Sequence, residues 1–263
     1  MQLSGWGRYP TAIAEIIEPV SQKSAQSHFL NNARDSHIIT RGSGRSYGDS
    51  ALADQVLNTR FLDNFISLDT AKNTITCGSG VQLKDILNLV IPTGHFPPVL
   101  PGTKYITVGG AIAADIHGKN HHQAGSFCQH LVSLELLLAS GEIVECSRFK
   151  KKDLFLATCG GMGLTGVILN ATIILKKVTS ASIDKKTQVA GDLRECMDIF
   201  DESEESEYSV AWLDALAQGK KRGRSLVHVG NHSEKGLQQP ILRRELSIPS
   251  ITPTKLLNKY SIK

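Results

Sequence analysis

Three glycine-rich segments within the first 178 residues limit what this chain of 263 residues can fold into. They read RGSGRSYGD at 41–49, PGTKYITVGGAIAADIHG at 101–118 and GGMGLTG at 160–166. Glycine lets the backbone adopt a positive φ, and the N–H groups of such turns can converge on an anion. Each segment alone is also consistent with a structural turn, or with a helix packed closely on a sheet. Three in one domain favour a site for an extended, charged cofactor.

The spacing within these segments excludes two common phosphate-binding loops. In the first segment the third glycine comes one place too late for the G-x-G-x-x-G fingerprint, and no long helix follows it. Gly118-Lys119 is followed by Asn120, where a Walker loop requires Ser or Thr. Neither segment therefore predicts a Rossmann or P-loop nucleotide site.

The stretch DIHGKNHH at 115–122 concentrates three histidines, an acid and a lysine. His117 and His121 are four residues apart, a spacing that on a helix suits two zinc ligands. Gly118 disfavours a helix there, and no second cluster of Cys or His supplies further ligands, so we expect no metal site. Two interpretations stay open from the residues alone: hydrogen-bonded histidines in a buried loop, or a pocket wall beside an electron-accepting ring.

Hydrophobic periodicity predicts an α+β fold. Apolar residues recur at helical spacing over 81–91, whereas 166–176 alternates with period two. The prolines between 92 and 101 predict irregular structure across 92–102. Helices are also predicted over 21–33 and 152–158, and strands over 37–41, 64–69, 73–78, 131–138, 142–146, 208–215 and 225–229. Their irregular alternation, with several hairpins, favours α+β over a doubly wound parallel sheet.

The character of the chain changes near residue 178. Residues 179–207 are polar and end in the acidic run DESEESE. The region after them has few apolar stripes and would struggle to close a core alone. We therefore expect one domain over 1–178 and the beginning of a second, incomplete α+β domain over 179–263, as though the chain were truncated.

Composition excludes several classes of protein. Hydrophobic residues make up 41% and charged residues 21%, which is ordinary for a globular protein, and the net charge is +4. There is no basic stripe with interleaved aromatics, so nucleic-acid binding is not expected. No apolar run reaches the roughly 18 residues of a membrane span, and no signal peptide is evident, so a cytoplasmic location is expected. The five cysteines form no C-x-x-C pair, which favours reduced thiols.

The motifs together resemble a known family. RGSGRSYGD, LPGTKYITVGGAIAADIHGKNHHQAGSF and GGMGLTGVI, in this order and spacing, resemble the FAD-linked oxidases of the vanillyl-alcohol-oxidase (PCMH-type) class. Within that class the sequence is similar to the branch that oxidises decaprenylphosphoryl-ribose and related lipid-linked sugars. GWGRYP and YSVAWLDA also fit, so the resemblance covers nearly the whole chain. It implies a PCMH-type FAD-binding domain of two subdomains over 1–178, followed by part of a substrate domain.

The resemblance also implies the residues of the site. Those around 41–50 would wrap the FAD pyrophosphate, those between 102 and 117 would run beside the flavin, and Ile168 would contact the adenine half. His117, near the ring, and Lys119, facing the substrate, are the implied catalytic residues. The implied cofactor-binding residues are Thr40, Arg41, Gly42, Ser43, Gly44, Arg45, Ser46, Tyr47, Gly48, Asp49, Ser50, Gly102, Thr107, Val108, Gly109, Gly110, Ala114, Asp115, Ile116, His117 and Ile168.

Arg45 sets an expectation about how the cofactor is attached. Many members of the class carry a histidine at this position of the R-G-x-G-H-S motif and bond it covalently to the flavin. Arginine cannot form that bond, so we expect FAD to be held without a covalent link.

The activity implied by the resemblance is oxidation of a secondary alcohol of a sugar, with the 2′-hydroxyl of a polyprenylphosphoryl-ribose as the expected substrate. A reductase would be the partner of an epimerase pair that makes a cell-wall arabinan precursor, and a peripheral membrane contact is compatible with such a substrate. Substrate contacts of these enzymes lie in a later half of the polypeptide, so we expect weak or no turnover by this chain alone. Alternatives are another sugar, alditol or aldonolactone oxidase, or a non-catalytic flavin-binding module that needs a partner chain.

Overall fold

The computed structural model describes residues 1–32 and 37–236. Its helices are α1 Gln22–Asn32, α2 Leu83–Val90, α3 Val108–Ala113, α4 His121–Ala124, α5 Lys152–Thr158 and α6 Leu193–Glu202. Its strands are β1 Gln2–Ser4, β2 Thr11–Ile13, β3 Glu15–Ile17, β4 Ile38–Arg41, β5 Gln55–Asn58, β6 Phe65–Asp69, β7 Thr74–Gly78, β8 His95–Phe96, β9 Leu131–Leu137, β10 Ile143–Ser147, β11 Val167–Ile174, β12 Lys176–Lys177, β13 Ile183–Ala190, β14 Tyr208–Leu213 and β15 Ser225–His232. The predicted α+β class is confirmed, and the predicted last residue of α1 lies outside the described residues.

An antiparallel five-stranded sheet forms the centre of the first part of the chain. Its strand order is β10-β9-β11-β7-β6, and the predicted hairpins β6–β7 and β9–β10 form its two edges. One face packs against α2, α3 and α5, which contribute Leu83, Ile112 and Phe155 to the core. Each of these side chains is fully buried, so the helical periodicity of the sequence corresponds to a real apolar face.

The other face of this sheet supports a smaller subdomain. There β3, β5 and β4 form a parallel sheet, in that order, and α1 packs beside it. Ala25 of α1 and Leu57 of β5 join Leu137 and Leu169 of the large sheet in a second core. Because side chains of β11 alternate between the two faces, this strand belongs to both cores. Two subdomains therefore share one central sheet.

A third sheet, β13-β15-β14, follows with α6 packed on one face. Its core contains Ala190, Cys196, Ile199 and Val227. The polar stretch 179–207 thus contains a strand and a helix, neither of which the sequence predicts. The boundary near 178 and the incompleteness of the second domain stay predictions, and residues 237–263 lie outside the described part of the chain.

One local prediction is wrong. The proline-rich stretch 92–102 is not wholly irregular, because a 3-10 turn covers Ile91–Thr93 and β8 pairs with β12. Proline fits the first positions of such a turn, where its missing N–H is not needed. Among the described residues, no helix combines the length and the apolarity needed to cross a bilayer.

Candidate functional site

The three glycine-rich segments, spread over residues 41–166, meet around one cleft between the two subdomains. The empty space within the cleft, counted out to where it opens to solvent, is about 860 Å³. The cleft is lined by Thr40, Arg41, Gly42, Ser43, Gly44, Arg45, Ser46, Ser50, Ala51, Thr59, Ser79, Ile106, Thr107, Gly109, Gly110, Ala113, Ala114, Ile116, Met162, Gly163 and Ile168. Residues from all three segments therefore share one wall.

The first segment is held in place by Arg41. Its guanidinium donates hydrogen bonds to the carbonyl oxygens of Ser4 (2.7 Å) and Ala51 (3.2 Å), which ties the loop to the N-terminal strand. Gly44, with φ of +63°, bends the backbone over this guanidinium, and a β-carbon there would overlap it. Burial lowers the pKa of Arg41. Arg45 stacks over the ring of Trp6 at 4.6 Å.

The second segment enters the cleft through α3. Thr107 precedes this helix, and its hydroxyl accepts a hydrogen bond from the N–H of Gly110 at 3.2 Å. The N–H of Gly109 donates to the carbonyl of Ser79 (2.8 Å), which joins the helix to the turn after β7. Gln82 next to that turn donates to the Ser43 hydroxyl, so the second segment is also linked to the first.

The third segment borders the cleft through Met162 and Gly163. The N–H groups of Gly160 and Met162 donate to the carbonyls of Ile112 (3.0 Å) and Ala113 (2.8 Å) at the end of α3. Gly163, with φ of +80°, lies against Thr40, so that a β-carbon on it would come within 2.8 Å of the Thr40 hydroxyl. Backbone hydrogen bonds thus join the second and third turns, and the first is linked to them by the Gln82–Ser43 bond and the Gly163–Thr40 contact.

The cleft suits an anionic, extended ligand. Its described lining carries two guanidinium groups, Arg41 and Arg45, and no carboxylate. Glycines at five lining positions leave backbone exposed along the wall, and β-carbons at Gly42 or Gly163 would collide with neighbouring hydroxyls. A dinucleotide with a pyrophosphate needs this combination of positive charge and close backbone approach. The residues present therefore fit a nucleotide cofactor such as FAD.

Fourteen of the residues expected to bind the cofactor line this cleft: Thr40, Arg41, Gly42, Ser43, Gly44, Arg45, Ser46, Ser50, Thr107, Gly109, Gly110, Ala114, Ile116 and Ile168. Tyr47, Gly48 and Asp49 form the exposed tip of the first loop outside the lining, and Gly102 is exposed with open space beside it. Their assignment to the cofactor stays a prediction.

Val108 and Asp115 have side chains engaged elsewhere. Val108 is fully buried in the core, and its N–H donates to the carbonyl of Val81. Asp115, with an unusual φ of +38°, accepts hydrogen bonds from the Ser126 hydroxyl and the Cys128 N–H, both at 2.8 Å. The carboxylate therefore anchors the loop that carries the histidines, and the structure does not place either side chain in the cleft wall.

The two expected catalytic residues lie just beyond the cleft. His117 follows Ile116 of the lining, is exposed, and forms an edge-on ring contact with His121 at 5.3 Å. Lys119 is also exposed, and its carbonyl accepts a hydrogen bond from Ser209 at the start of β14. The segment that leaves the cleft is thus attached to the third sheet.

The sequence did not single out seven residues of the cleft wall. Met162 and Gly163 belong to the third glycine-rich segment, whose composition was the available signal. Ile106 and Ala113 likewise belong to the second segment, and no local pattern marks Ala51, Thr59 or Ser79. In the described parts of the chain, no group of three or more His, Cys, Asp or Glu residues is arranged to hold a metal ion.

Comparison with known proteins points to the same ligand. Residues 16–147 match the family described as FAD binding domain. The chain is 36% identical to decaprenylphosphoryl-beta-D-ribose oxidase of Mycolicibacterium smegmatis, over 99% of this chain and 60% of that protein. It is 37% identical to an uncharacterised protein of Streptomyces coelicolor, over 69% of this chain and 54% of the other.

A more distant relative is named for a different substrate. L-gulonolactone oxidase of Scyliorhinus torazame is 27% identical over 62% of this chain and 36% of its own length. The chain thus spans at most 60% of the length of these three relatives.

Proposed function

This chain belongs to the FAD binding domain family, and on that premise we propose that it serves a flavin-dependent oxidation of a secondary alcohol on a sugar. The observation that carries the proposal is the single cleft built from three glycine-rich segments, with two arginines and no carboxylate in its described lining. FAD is the cofactor of the family. When bound, it supplies the acceptor for the two electrons that leave the alcohol as it becomes a ketone.

Each part of the cleft has a role in holding that cofactor. Arg41 and Arg45 would oppose the pyrophosphate charge, and Ser43, Gly44 and Ser46 would bring backbone and hydroxyl groups close to it. Ile106 and Ile168 would provide apolar contacts along the same wall. Because Arg45 cannot form the covalent bond of a histidine, the cofactor would be bound non-covalently.

His117 and Lys119 would act on the substrate side. Both are exposed on the segment that leads from the cleft to the third sheet. The imidazole of His117 could hold the proton that leaves the substrate hydroxyl, and the ammonium of Lys119 could bind an anionic group of the substrate.

The substrate class that we propose is a polyprenylphosphoryl-ribose oxidised at its 2′-hydroxyl. It is supported by the 36% identity with the M. smegmatis oxidase, which extends over 99% of this chain. A reductase that returns the ketone to the epimeric alcohol would be the natural partner class, and a lipid-linked substrate would bring the protein to a membrane surface. An aldonolactone is the second candidate, favoured by the similarity to L-gulonolactone oxidase.

Anaerobic mixing tests both candidates. Purified protein should carry FAD. Because we expect weak turnover by this chain alone, polyprenylphosphoryl-ribose should bleach the long-wavelength absorbance band of the flavin slowly, whereas L-gulonolactone should not bleach it. Bleaching by the lactone alone would replace the first candidate by the second. FAD binding without bleaching by any sugar would favour the non-catalytic module, and a protein that binds no FAD would contradict the proposal.

A further inference from the structure

Ser79 is a wall residue of the cleft that neither the motifs nor the family resemblance mark. It lies in the turn directly after β7, and only 1% of its surface is exposed. Its hydroxyl has no hydrogen-bond partner among the described residues. Buried hydroxyls in folded proteins are nearly always paired, so an unpaired one at the edge of a ligand cleft points to the ligand as its partner.

The backbone of Ser79 is fixed from two sides. Its N–H donates to the carbonyl of Leu169 in β11 (2.9 Å), and its carbonyl accepts from the N–H of Gly109 in α3 (2.8 Å). A β-carbon on Gly109 would lie 3.0 Å from the β-carbon of Ser79, so the two backbones are in close contact. The hydroxyl is therefore presented from a rigid position, which lowers the entropy lost when a ligand binds it.

Three other hydroxyls of the same wall already have partners within the protein. Thr107 accepts from Gly110, Ser43 accepts from Gln82, and Thr59 donates to the carbonyl of Arg41. These three hydroxyls shape the cleft, whereas that of Ser79 retains its full capacity for hydrogen bonding. The contrast separates a structural from a ligand-binding role.

We propose that Ser79 is a binding residue for FAD, whose hydroxyl forms a hydrogen bond with a polar atom of the dinucleotide. The inference rests on the proposed function and adds a contact that the sequence motifs do not contain. It requires that the unpaired hydroxyl destabilise the FAD-free protein, and that the same hydroxyl stabilise the complex once it is hydrogen-bonded to FAD.

The test is Ser79→Ala, measured in both states. The dissociation constant for FAD, from titration of the FAD-free protein, should rise about three- to tenfold, which corresponds to about 0.7–1.4 kcal/mol. The melting temperature of the FAD-free protein should stay the same or rise. A purely structural serine would give the reverse: a lower melting temperature without FAD and an unchanged dissociation constant. That result would overturn the inference.

Ser225 offers a matched control. It is also buried, with an unpaired hydroxyl, but it lies in β15 of the third sheet. Ser225→Ala should leave FAD affinity unchanged, and an equal loss of affinity in both variants would overturn the inference. Ser79→Cys keeps a similar shape with a weak hydrogen-bonding group, so it should also weaken FAD binding.

Failure of the role of Ser79 and failure of the proposed function give different experimental results. Wild-type protein that binds FAD, with Ser79→Ala binding it equally well, would overturn only the role of Ser79. Wild-type protein that binds no FAD would overturn the proposed function and this inference with it.

Discussion

Gly42 packs so closely against Thr107 that a β-carbon on Gly42 would overlap the threonine hydroxyl oxygen. That hydroxyl is the cap that accepts a hydrogen bond from the Gly110 N–H at the start of α3. The first and second glycine-rich segments therefore meet at a contact in which Gly42 contributes no side chain and Thr107 contributes the helix cap. The geometry of the cleft depends on this contact.

Gly42→Ala should accordingly damage both stability and cofactor binding. Overpacking a close contact costs about 1–3 kcal/mol, and the displaced loop carries Ser43 and Arg45 of the cleft wall. We expect the free energy of unfolding to fall by that amount and the dissociation constant for FAD to rise at least tenfold. Urea denaturation and FAD titration measure the two effects.

Three further variants distinguish the effect of the overlap from a general effect of alanine. Gly7→Ala places its methyl 3.6 Å from the Tyr47 ring, an ordinary contact, and should change neither quantity. Thr107→Ala alone should cost about 1 kcal/mol as a lost helix cap. The double variant Gly42→Ala/Thr107→Ala should be less unstable than the sum of the single changes, because removing the hydroxyl relieves the overlap. Strict additivity would contradict this account.

The position of Arg45 leads to a prediction about cofactor release. Precipitation of the wild-type protein by acid or heat should transfer all flavin absorbance to the supernatant, with FAD identified by its mass. Arg45→Gln should weaken FAD binding about threefold, since it removes one of two cations from the cleft wall. Arg194→Gln, which removes the same charge from the exposed face of α6, should have no effect. Flavin retained in the precipitate would contradict non-covalent binding.

An element of this fold can be predicted from the sequence when the interactions that form it join residues close together in the chain. The helix over 81–91 was predicted because its apolar residues fall on one face, and α2 buries that face. The hairpins were predicted because the turn and the alternation both lie within a few residues. The strand β13 reads IDKKTQVA and was missed, because nearly all of its side chains are at least partly exposed and the strand is defined by its pairing with β15.

Residues of the candidate site also differ in whether a local sequence pattern marks them. Glycine-rich composition marked all three turns of the cleft, because a positive φ and close backbone approach leave a local signature. Ser79 left none, since its place in the wall comes from hydrogen bonds to Leu169 and Gly109, which are distant in sequence. Asp115 was expected beside the cofactor, but its carboxylate bonds to Ser126 and Cys128 and anchors the histidine loop.

Cys159 should be the most reactive of the five thiols. It is partly exposed beside Gly160 of the third segment, and the neighbouring Cys128 thiol lowers its pKa. Burial raises the pKa of Cys77 to about 12. At pH 7.5, iodoacetamide followed by peptide mass spectrometry should therefore label Cys159 first.

Removal of the neighbouring Cys128 thiol tests this cause. Cys128→Ala should slow the labelling of Cys159 at pH 7.5. Reduced access would not explain slower labelling, because a smaller side chain at position 128 makes Cys159 more accessible. Cys196→Ala, in α6 of the third sheet, should leave the rate unchanged. Faster labelling of Cys159 in Cys128→Ala would show that access, and not the Cys128 thiol, controls its reactivity.

The surroundings of His232, at the junction with the third sheet, predict how the free energy of unfolding depends on pH. Its ring lies half-buried between Phe96 and Tyr208, with one nitrogen donating to the carbonyl of Ser180 at 2.9 Å. Burial, and secondly the charge of Lys176, lower the pKa of His232. Burial lowers the pKa of Lys176 to about 8, so this neighbour is protonated across the acid range. Lys176 itself is paired with Glu207 and donates to the Tyr208 hydroxyl.

The direction of the effect follows from proton uptake. Because the folded-state pKa of His232 lies below its unfolded value of about 6.5, the unfolded chain binds more protons as the pH falls through that value. His232 therefore contributes stability above about pH 6.5, and that contribution is lost on acidification until the pH passes its lowered pKa. Urea denaturation between pH 7.5 and 5 should show wild-type stability falling more steeply than that of His232→Gln. His228→Gln, on the same strand but outside this cluster, should keep the wild-type slope, and parallel curves for wild type and His232→Gln would contradict the prediction.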